Sequence, residues 1–151
     1  MAATAHTAAA ADPAANKALV RRFFEEVFNR GNLAAVDELW IPGRLEGGKR
    51  AVEHLRTAFP DYHRTVEAQV AEGDLVVTRW TMRGTHRGPY RSGALGRTLA
   101  PTGRRVAVPA IGIHRLAGGR IVESLGLNID DSVDLLLQLG VLPVDAPAPP
   151  G

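Results

Sequence analysis

The chain has 151 residues, of which 45% are hydrophobic and 23% charged, a balance that is ordinary for one soluble globular domain. It contains no cysteine, which excludes disulfide bonds, thiolate catalysis and cysteine-ligated metal sites. The net charge is only +2, no run of about 18 apolar residues predicts a membrane span, and no nucleic-acid-binding motif occurs, so we expect neither a membrane nor a nucleic-acid partner.

Two tails flank the predicted domain. Residues 1–15 are Ala-rich and lack the basic segment of a signal peptide, and residues 144–151 are Pro-rich, so both are expected to be disordered. Residues 16–143 then form a single domain, for which a cytoplasmic location is the default expectation.

The first part of the domain is predicted to be helical. Apolar residues recur at helical spacing in "NKALVRRFFEEVFNRG", and Gly31 ends that helix. A short second helix, "NLAAVDELW", follows with Asn32 as its N-cap. A third helix, "GGKRAVEHLRTAF", is ended by Pro60.

After the third helix the apolar period changes to alternation, which predicts strands. The first strand, "YHRTVEAQV", divides into an apolar and a polar face: Tyr62, Val66, Ala68 and Val70 against His63, Thr65, Glu67 and Gln69. The next strand, "LVVTRWTMRGTH", places Trp80 and Met82 on one face, and a loop rich in Gly and Arg runs to Gly103. The strands "RRVAVPAIGIHRL" and "RIVESLGLN" form a hairpin, and "DDSVDLLLQLG" is a last short helix capped by acidic residues.

This order of elements predicts an α+β fold, in which a curved antiparallel sheet wraps over three N-terminal helices and a short C-terminal helix follows. The last two strands are apolar on both faces, with Ile111, Ile113, Leu125 and Leu127 on one and Val106, Val108 and Val122 on the other. Because the helices can cover only one of these faces, we expect a homodimer through the outer sheet face.

Several segments occur in a family-specific order: "FNRGNLAAVDELW", "AFPDYHRTVEAQVAEGDLVVTRWTMRGTHRG", "PTGRRV" and "IHRLAGGRIVE…LLLQLG". Together they resemble the SnoaL-like polyketide cyclases, or ester cyclases, of the nuclear transport factor 2-like superfamily, over about Leu19 to Pro143. The resemblance implies a cone whose bent sheet and helices enclose one deep pocket. It also implies chemistry without a metal or organic cofactor, the family's best-known reaction being an intramolecular aldol ring closure. Relatives also catalyse hydroxylation, epoxide opening and other cyclisations, so the fold does not fix the reaction.

The family's aldol apparatus is incomplete in this chain. By resemblance, the position of the acid/base Asp falls on Gly126, and that of a pocket His falls on Gly112. The loop after the second helix is the short "IPGRLEGG", without the family's polar residues. We therefore expect a route other than the standard aldol mechanism. Each glycine opens room for a ligand, lets a backbone approach closely, or marks a bulge or bend in the sheet.

Alternation and the resemblance place His114 and Asn128 on the pocket face of the last two strands, where they are the first candidates for catalysis. Histidine suits proton transfer near neutral pH. Asp130 would hold His114 in one tautomer or act as the acid itself. The alternatives are that His114 is a satisfied core residue and that Asp130 is the N-cap of the last helix.

Ten residues are predicted to contact substrate, and each also fits a position in the wall or the core: Phe28, His54, Tyr62, Trp80, Met82, His86, Tyr90, Gly112, Ser124 and Gly126. Alternation allows Tyr62 or His63 to face the cavity, but not both. The histidines lack the i, i+2 or i, i+4 spacing of a metal site, so we expect no metal and no other cofactor.

These features predict a cofactor-independent cyclase or isomerase of secondary metabolism that acts on a hydrophobic, polyketide-like small molecule. A non-catalytic protein that binds such a molecule is the alternative. An epoxide-opening hydrolase would need an Asp–Arg–Asp set in the pocket, and most arginines fall on the face opposite Trp80. Nine arginines and no acidic residue lie between Leu75 and Val122, a charge pattern that attracts an anionic partner or forms a solvated sheet face.

Overall fold

The computed structural model describes residues 11–126 and 132–143. Its helical elements are α1 (Pro13–Phe23), which continues as a π-helical turn (Phe24–Asn29), α2 (Ala34–Leu39), a 3-10 turn (Pro42–Arg44), α3 (Leu45–Ala58) and α4 (Val133–Gln138). Its strands are β1 (His63–Glu72), β2 (Leu75–Thr85), β3 (Tyr90–Ser92), β4 (Arg97–Leu99), β5 (Arg105–Ala117) and β6 (Arg120–Gly126). No helix in these ranges combines the length and the hydropathy needed to cross a bilayer.

The first two helices differ from the prediction at their starts. Helix α1 begins before residue 16 because Asp12 caps it, accepting hydrogen bonds from the N–H groups of Ala14 and Ala15 at 3.0 and 3.1 Å. The expectation that Asn32 caps α2 is wrong. Leu33 precedes that helix without any side-chain cap, and the Asn32 side chain instead donates to Glu26 at 3.4 Å.

Four antiparallel strands form the main sheet in the order β1-β2-β5-β6. The segment between β2 and β5, expected to be a loop, contains a separate hairpin of β3 and β4. Helix α1 packs on β1 and β2, and α2 packs beside β6. The predicted α+β fold, with antiparallel strands following N-terminal helices and with a short C-terminal helix, is therefore confirmed.

A β-bulge changes the side-chain pattern of β1. The pairing with β2 shifts between Val66 and Ala68, so the strand carries an extra residue, and every later side chain changes face. Gln69 consequently points inward and donates to Thr78 at 3.1 Å, whereas Val70 is 69% exposed. The predicted alternation of β1 holds as far as Val66 and is wrong for Ala68, Gln69 and Val70.

The inner face of β5 contains Val106, Val108 and His114, all buried against the helices. The predicted separation of Val106 from Ile111 and Ile113 is confirmed, since the two isoleucines lie on the opposite face. A second register shift, in the pairing of β5 with β6, removes Val122 from the inward position that the sequence predicted. Ile121 pairs with Leu116 instead and is fully buried.

Candidate functional site

Aromatic and basic side chains gather on the inner face of the sheet around one histidine. The helical segment at the start of the domain supplies three rings, the residue directly before β1 supplies a fourth, and β1, β2 and β5 supply the rest. They are Phe23, Phe24, Phe28, Tyr62, Arg64, Trp80 and His114, and we call them the His114 cluster.

The π-helical turn carries part of this cluster. The N–H of Arg30 bonds to the carbonyl of Glu25 at 3.0 Å, one residue farther back than in an α-helix. Phe24 and Phe28 lie on its inner side with their rings 6.1 Å apart and nearly perpendicular. Isolated π-helical turns of this kind occur often at functional sites.

His114 occupies the centre of the cluster and is only 3% exposed. Its ring lies 6.0 Å from that of Phe23 and 5.8 Å from that of Phe24, in both cases edge-on. Neither ring nitrogen forms a hydrogen bond with the described residues, and Nδ1 is completely buried. Burial, followed by the nearby charge of Arg64, lowers the pKa of His114 to about 4. The imidazole is therefore neutral at neutral pH and has a lone pair that can accept a proton.

Arg64 is a site residue that the sequence reasoning missed. Its guanidinium carbon lies 3.4 Å from the ring centroid of Phe28 and 5.1 Å from that of Trp80, while its Nε donates to the Tyr62 hydroxyl at 2.7 Å. In the described part of the chain no carboxylate pairs with it. The signal was present in the sequence, because Arg64 has the same strand parity as Tyr62 and Val66.

Gly112 and Gly126 face each other across β5 and β6, as their spacing predicted. A Cβ atom at Gly112 would lie 2.9 and 3.0 Å from two carbons of the Trp80 indole and 3.6 Å from Cε1 of His114. The room that Gly112 leaves therefore holds the Trp80 ring, which packs edge-on at 5.0 Å against Phe24. The register with β2 is unbroken at Gly112, so the residue does not mark a bulge. A ligand contact at Gly112 stays a prediction.

Three other predicted site residues lie in or beyond β6, namely the contact residue Ser124 and the catalytic candidates Asn128 and Asp130. Ser124 pairs with His114 across the strands and is exposed. Asn128 and Asp130 lie outside the described residues, and their roles stay predictions. The N-cap of α4 is Ser132, whose hydroxyl accepts from the N–H of Leu135 at 3.1 Å, so the capping alternative for Asp130 is wrong.

A second aromatic group lies beneath the β3–β4 hairpin, and we call it the His86 cluster: His54, Phe59, His86, Tyr90 and Thr102. His86 is fully buried, and its Nδ1 accepts from the Thr102 N–H at 3.2 Å. The His54 ring stacks on Tyr90 at 5.3 Å, and its Nε2 accepts from the Arg91 N–H. The structure thus brings His54, His86 and Tyr90 together with one another.

Other predicted contact residues have clear placements. Tyr62 is buried at 2% exposure and His63 is exposed, which answers which of the two faces inward. Met82 is fully buried beside Arg64 in the sheet. Within residues 11–126 and 132–143, no group of three or more His, Asp or Glu side chains could hold a metal ion.

Comparison with known proteins gives the family of this fold. Residues 18–139 match the family described as SnoaL-like polyketide cyclase. TsrD from Streptomyces laurentii is 26% identical, with a TM-score of 0.75 over 87% of this chain and 98% of that chain. AclR from Streptomyces galilaeus, a proposed hydroxylase, is 28% identical, with a TM-score of 0.74 over 90% of this chain and 87% of its own. IdmH from Streptomyces antibioticus, a proposed polyketide cyclase, is 30% identical, with a TM-score of 0.67 over 83% and 98%. No curated protein gives a significant match.

Proposed function

This chain belongs to the SnoaL-like polyketide cyclase family, and from that premise we propose that it is a cofactor-independent cyclase or isomerase of secondary metabolism. Its substrate would be a hydrophobic, polyketide-like molecule, and its reaction an acid/base-assisted ring closure. The observation that carries this proposal is His114, a neutral imidazole buried among aromatic rings with no hydrogen bond to either nitrogen in the described chain.

Two properties suit His114 to proton transfer. Its low pKa keeps the imidazole neutral at neutral pH, so a ring nitrogen has a lone pair to which a substrate proton can move. Its surroundings exclude water, which strengthens any electrostatic interaction formed with a bound substrate. Because the family's Asp position is Gly126, the standard aldol apparatus is not what we propose, and the proton would move through the imidazole.

Placement of the substrate would supply much of the rate. Phe23, Phe24 and Trp80 pack against one another beside His114, so a flat, conjugated molecule bound there would contact aromatic rings. Correct alignment of reacting groups contributes roughly 7–11 kcal/mol at the extreme. The indole Nε1 of Trp80 is buried without a protein partner among the described residues, so it is a hydrogen-bond donor available to a substrate oxygen.

The role of His114 is tested by a conservative substitution. His114→Gln keeps a polar side chain of similar size but removes the titratable group, so we expect kcat for ring closure to fall roughly 10²–10⁴-fold. The assay follows ring-closed product from linear polyketide-like β-diketones by liquid chromatography and mass spectrometry, above the spontaneous background. His63→Gln, on the exposed face of β1, is the matched control. Full turnover by His114→Gln would contradict the assignment.

The absence of the family's Asp favours one alternative, a non-catalytic protein that binds the same class of molecule. In that case the wild-type protein would bind the β-diketones without accelerating their cyclisation. The epoxide-opening alternative has less support. Arg64 does face inward, but it has no carboxylate partner among the described residues, whereas an Asp–Arg–Asp set needs two.

We also propose a homodimer through the outer sheet face. Four apolar residues pair in register to form one row across the sheet, namely Val70, Val77, Ile113 and Leu125. Val70, Val77 and Leu125 are 69, 37 and 48% exposed, and Ile111 beside the row is 52% exposed. A continuous apolar row with such exposure is typical of an interface. Leu127, the other residue predicted for this face, lies outside the described residues.

A charge placed next to the row tests the dimer. We expect the wild-type protein to sediment as a dimer at micromolar concentration and Ile111→Lys as a monomer, because the lysine would be desolvated in the interface. Val133→Lys, at an exposed apolar position on α4, should remain dimeric. A monomeric wild-type protein would refute the proposal.

A further inference from the structure

Arg64 combines an inward orientation in the sheet with the lack of a carboxylate partner among the described residues. On the outer face and at the sheet end, Arg79 pairs with Glu67 at 2.9 Å, and Arg115 pairs with Asp74 at 3.0 Å. Arg64 points to the inner face and pairs with no carboxylate in the described chain. A cation that is partly removed from water without a counter-charge is costly, so an unpaired inward arginine calls for an explanation.

Packing offsets part of this cost and fixes the orientation of the group. The guanidinium stacks over Phe28 at 3.4 Å, a cation–π contact that also defines the plane of the group. Its Nε donates to the Tyr62 hydroxyl, which uses one of five N–H donors. The two terminal NH₂ groups form no hydrogen bond with the described residues. They make a fork of the kind that binds a planar anion through two parallel hydrogen bonds.

Arg64 is partly exposed to solvent, and its guanidinium lies near the proposed base. Arg64 is half-buried and helps to line a cleft of about 270 Å³ between the π-helical turn and β1. Glu25 also lines this cleft, but its carboxylate is bound by Asn29 at 2.9 Å and Arg30 at 3.1 Å. The Phe24 ring lies 5.1 Å from the Arg64 guanidinium and 5.8 Å from the His114 ring, so both groups adjoin the same aromatic side chain.

From this geometry we propose that Arg64 binds a planar oxyanion of the substrate, either a carboxylate or the enolate of a β-dicarbonyl group. Arg64 then selects anionic over neutral molecules. It also fixes the charged end of the substrate beside the start of β1. This inference deepens the proposed function by naming a feature of the substrate class, but its test requires no turnover, so the two proposals fail separately.

Binding of matched probe pairs tests the oxyanion site. 2-Naphthoate and 2-naphthamide share a ring system and differ in charge, as do dimedone, an enolate at neutral pH, and its neutral enol methyl ether. We expect the wild-type protein to bind at least one anion about tenfold or more tightly than its neutral partner, measured by calorimetry at fixed ionic strength. A preference confined to the naphthoate pair identifies a carboxylate site, and one confined to the dimedone pair an enolate site.

Three variants decide whether Arg64 causes the preference. Arg64→Gln should lose it, Arg64→Lys should keep part of it, and Arg83→Gln, on the exposed face of β2, should keep all of it. Circular dichroism spectra and thermal melts establish that each variant is folded. The proposal is overturned if the wild-type protein shows no preference in either pair, or if folded Arg64→Gln retains the preference.

Discussion

The two buried histidines, His114 and His86, occupy contrasting environments in one domain. The ring of His86 is held from one side by Thr102, whose N–H donates to Nδ1 and whose hydroxyl oxygen lies 3.0 Å from it. The ring of His114 is held by packing alone, between Phe23 and Phe24. A buried polar group normally has a hydrogen-bond partner. Nε2 of His86 is also buried without one among the described residues, but His86 is bound at Nδ1 and His114 at neither nitrogen, so His114 is the better candidate for binding a substrate.

The contrast separates an architectural cluster, around His86, which connects elements of the fold, from a chemical cluster, around His114, which holds the candidate reactive groups. The His86 cluster joins α3 to the β3–β4 hairpin through the His54–Tyr90 stack and the bond from Arg91 to His54. The His114 cluster contains a neutral base and a cation that has no carboxylate partner in the part of the chain that the structure describes. Both are rich in aromatic residues, so composition does not distinguish them; the difference is that Thr102 binds Nδ1 of His86, whereas Nδ1 of His114 is buried without a partner among the described residues.

The pH dependence of stability gives the largest expected effect. The unfolded-state pKa of a histidine is near 6.5, and that of folded His114 is about 4. Above pH 6.5 both states are neutral and the group contributes nothing. As the pH falls from 6.5 to 4, only the unfolded state takes up the proton, so stability is lost, by about 3 kcal/mol between pH 7 and pH 4.

Urea unfolding of the wild-type protein and His114→Gln across this pH range measures the effect. Burial also lowers the pKa of His86, which gives a loss of the same sign in both proteins, so the difference between the two curves isolates His114. Parallel curves would mean that His114 titrates normally and that its surroundings are wetter than the structure indicates.

The sequence predicted the surroundings of His114 better than those of His86. Strand parity placed His114 inward and paired Gly112 with Gly126, because β5 is regular from residue 105 to 115 along its pairing with β2. Parity also pointed to Arg64, yet a charged side chain is normally assigned to solvent. The stack on Phe28 and the hydrogen bond to Tyr62 explain how an inward arginine is accommodated, and strand parity predicts neither contact.

Other features depended on contacts that a sequence pattern does not carry. The bulge in β1 turned Val70 outward, and this change completes the apolar row on the outer face instead of adding to the core. The pairing of His86 with Thr102 joins two ends of a segment that looked like a plain loop. The Trp80 ring beside Gly112 explains why glycine is suited to that position, and this reason comes from packing and does not depend on a ligand.

Gly112→Ala gives the next largest effect. The new methyl group would meet the Trp80 indole at 2.9–3.0 Å, and the ring cannot move freely because Phe24 packs against it. We expect a loss of roughly 1–3 kcal/mol in the free energy of unfolding. Gly47→Ala, within α3 and with open space around the added methyl group, should be neutral or stabilise by up to about 1 kcal/mol. Equal effects of the two changes would show that Trp80 is loosely held.

Thr102→Val gives the smallest expected effect, and it tests most directly whether the His86 cluster is separate from the ligand site. It preserves shape and the backbone N–H that donates to His86, and it removes the hydroxyl, which lies 3.0 Å from Nδ1 and also accepts from the Arg104 N–H at 3.3 Å. We expect a loss of about 0.5–1.5 kcal/mol in urea unfolding and no change in the binding of 2-naphthoate or dimedone. If probe binding fell while stability was unchanged, the His86 cluster would belong to the ligand site. The division between an architectural and a chemical histidine would then have to be redrawn, because a buried ring that is bound at Nδ1 would still be coupled to a ligand through its contact with Tyr90 and the stack of Tyr90 on His54.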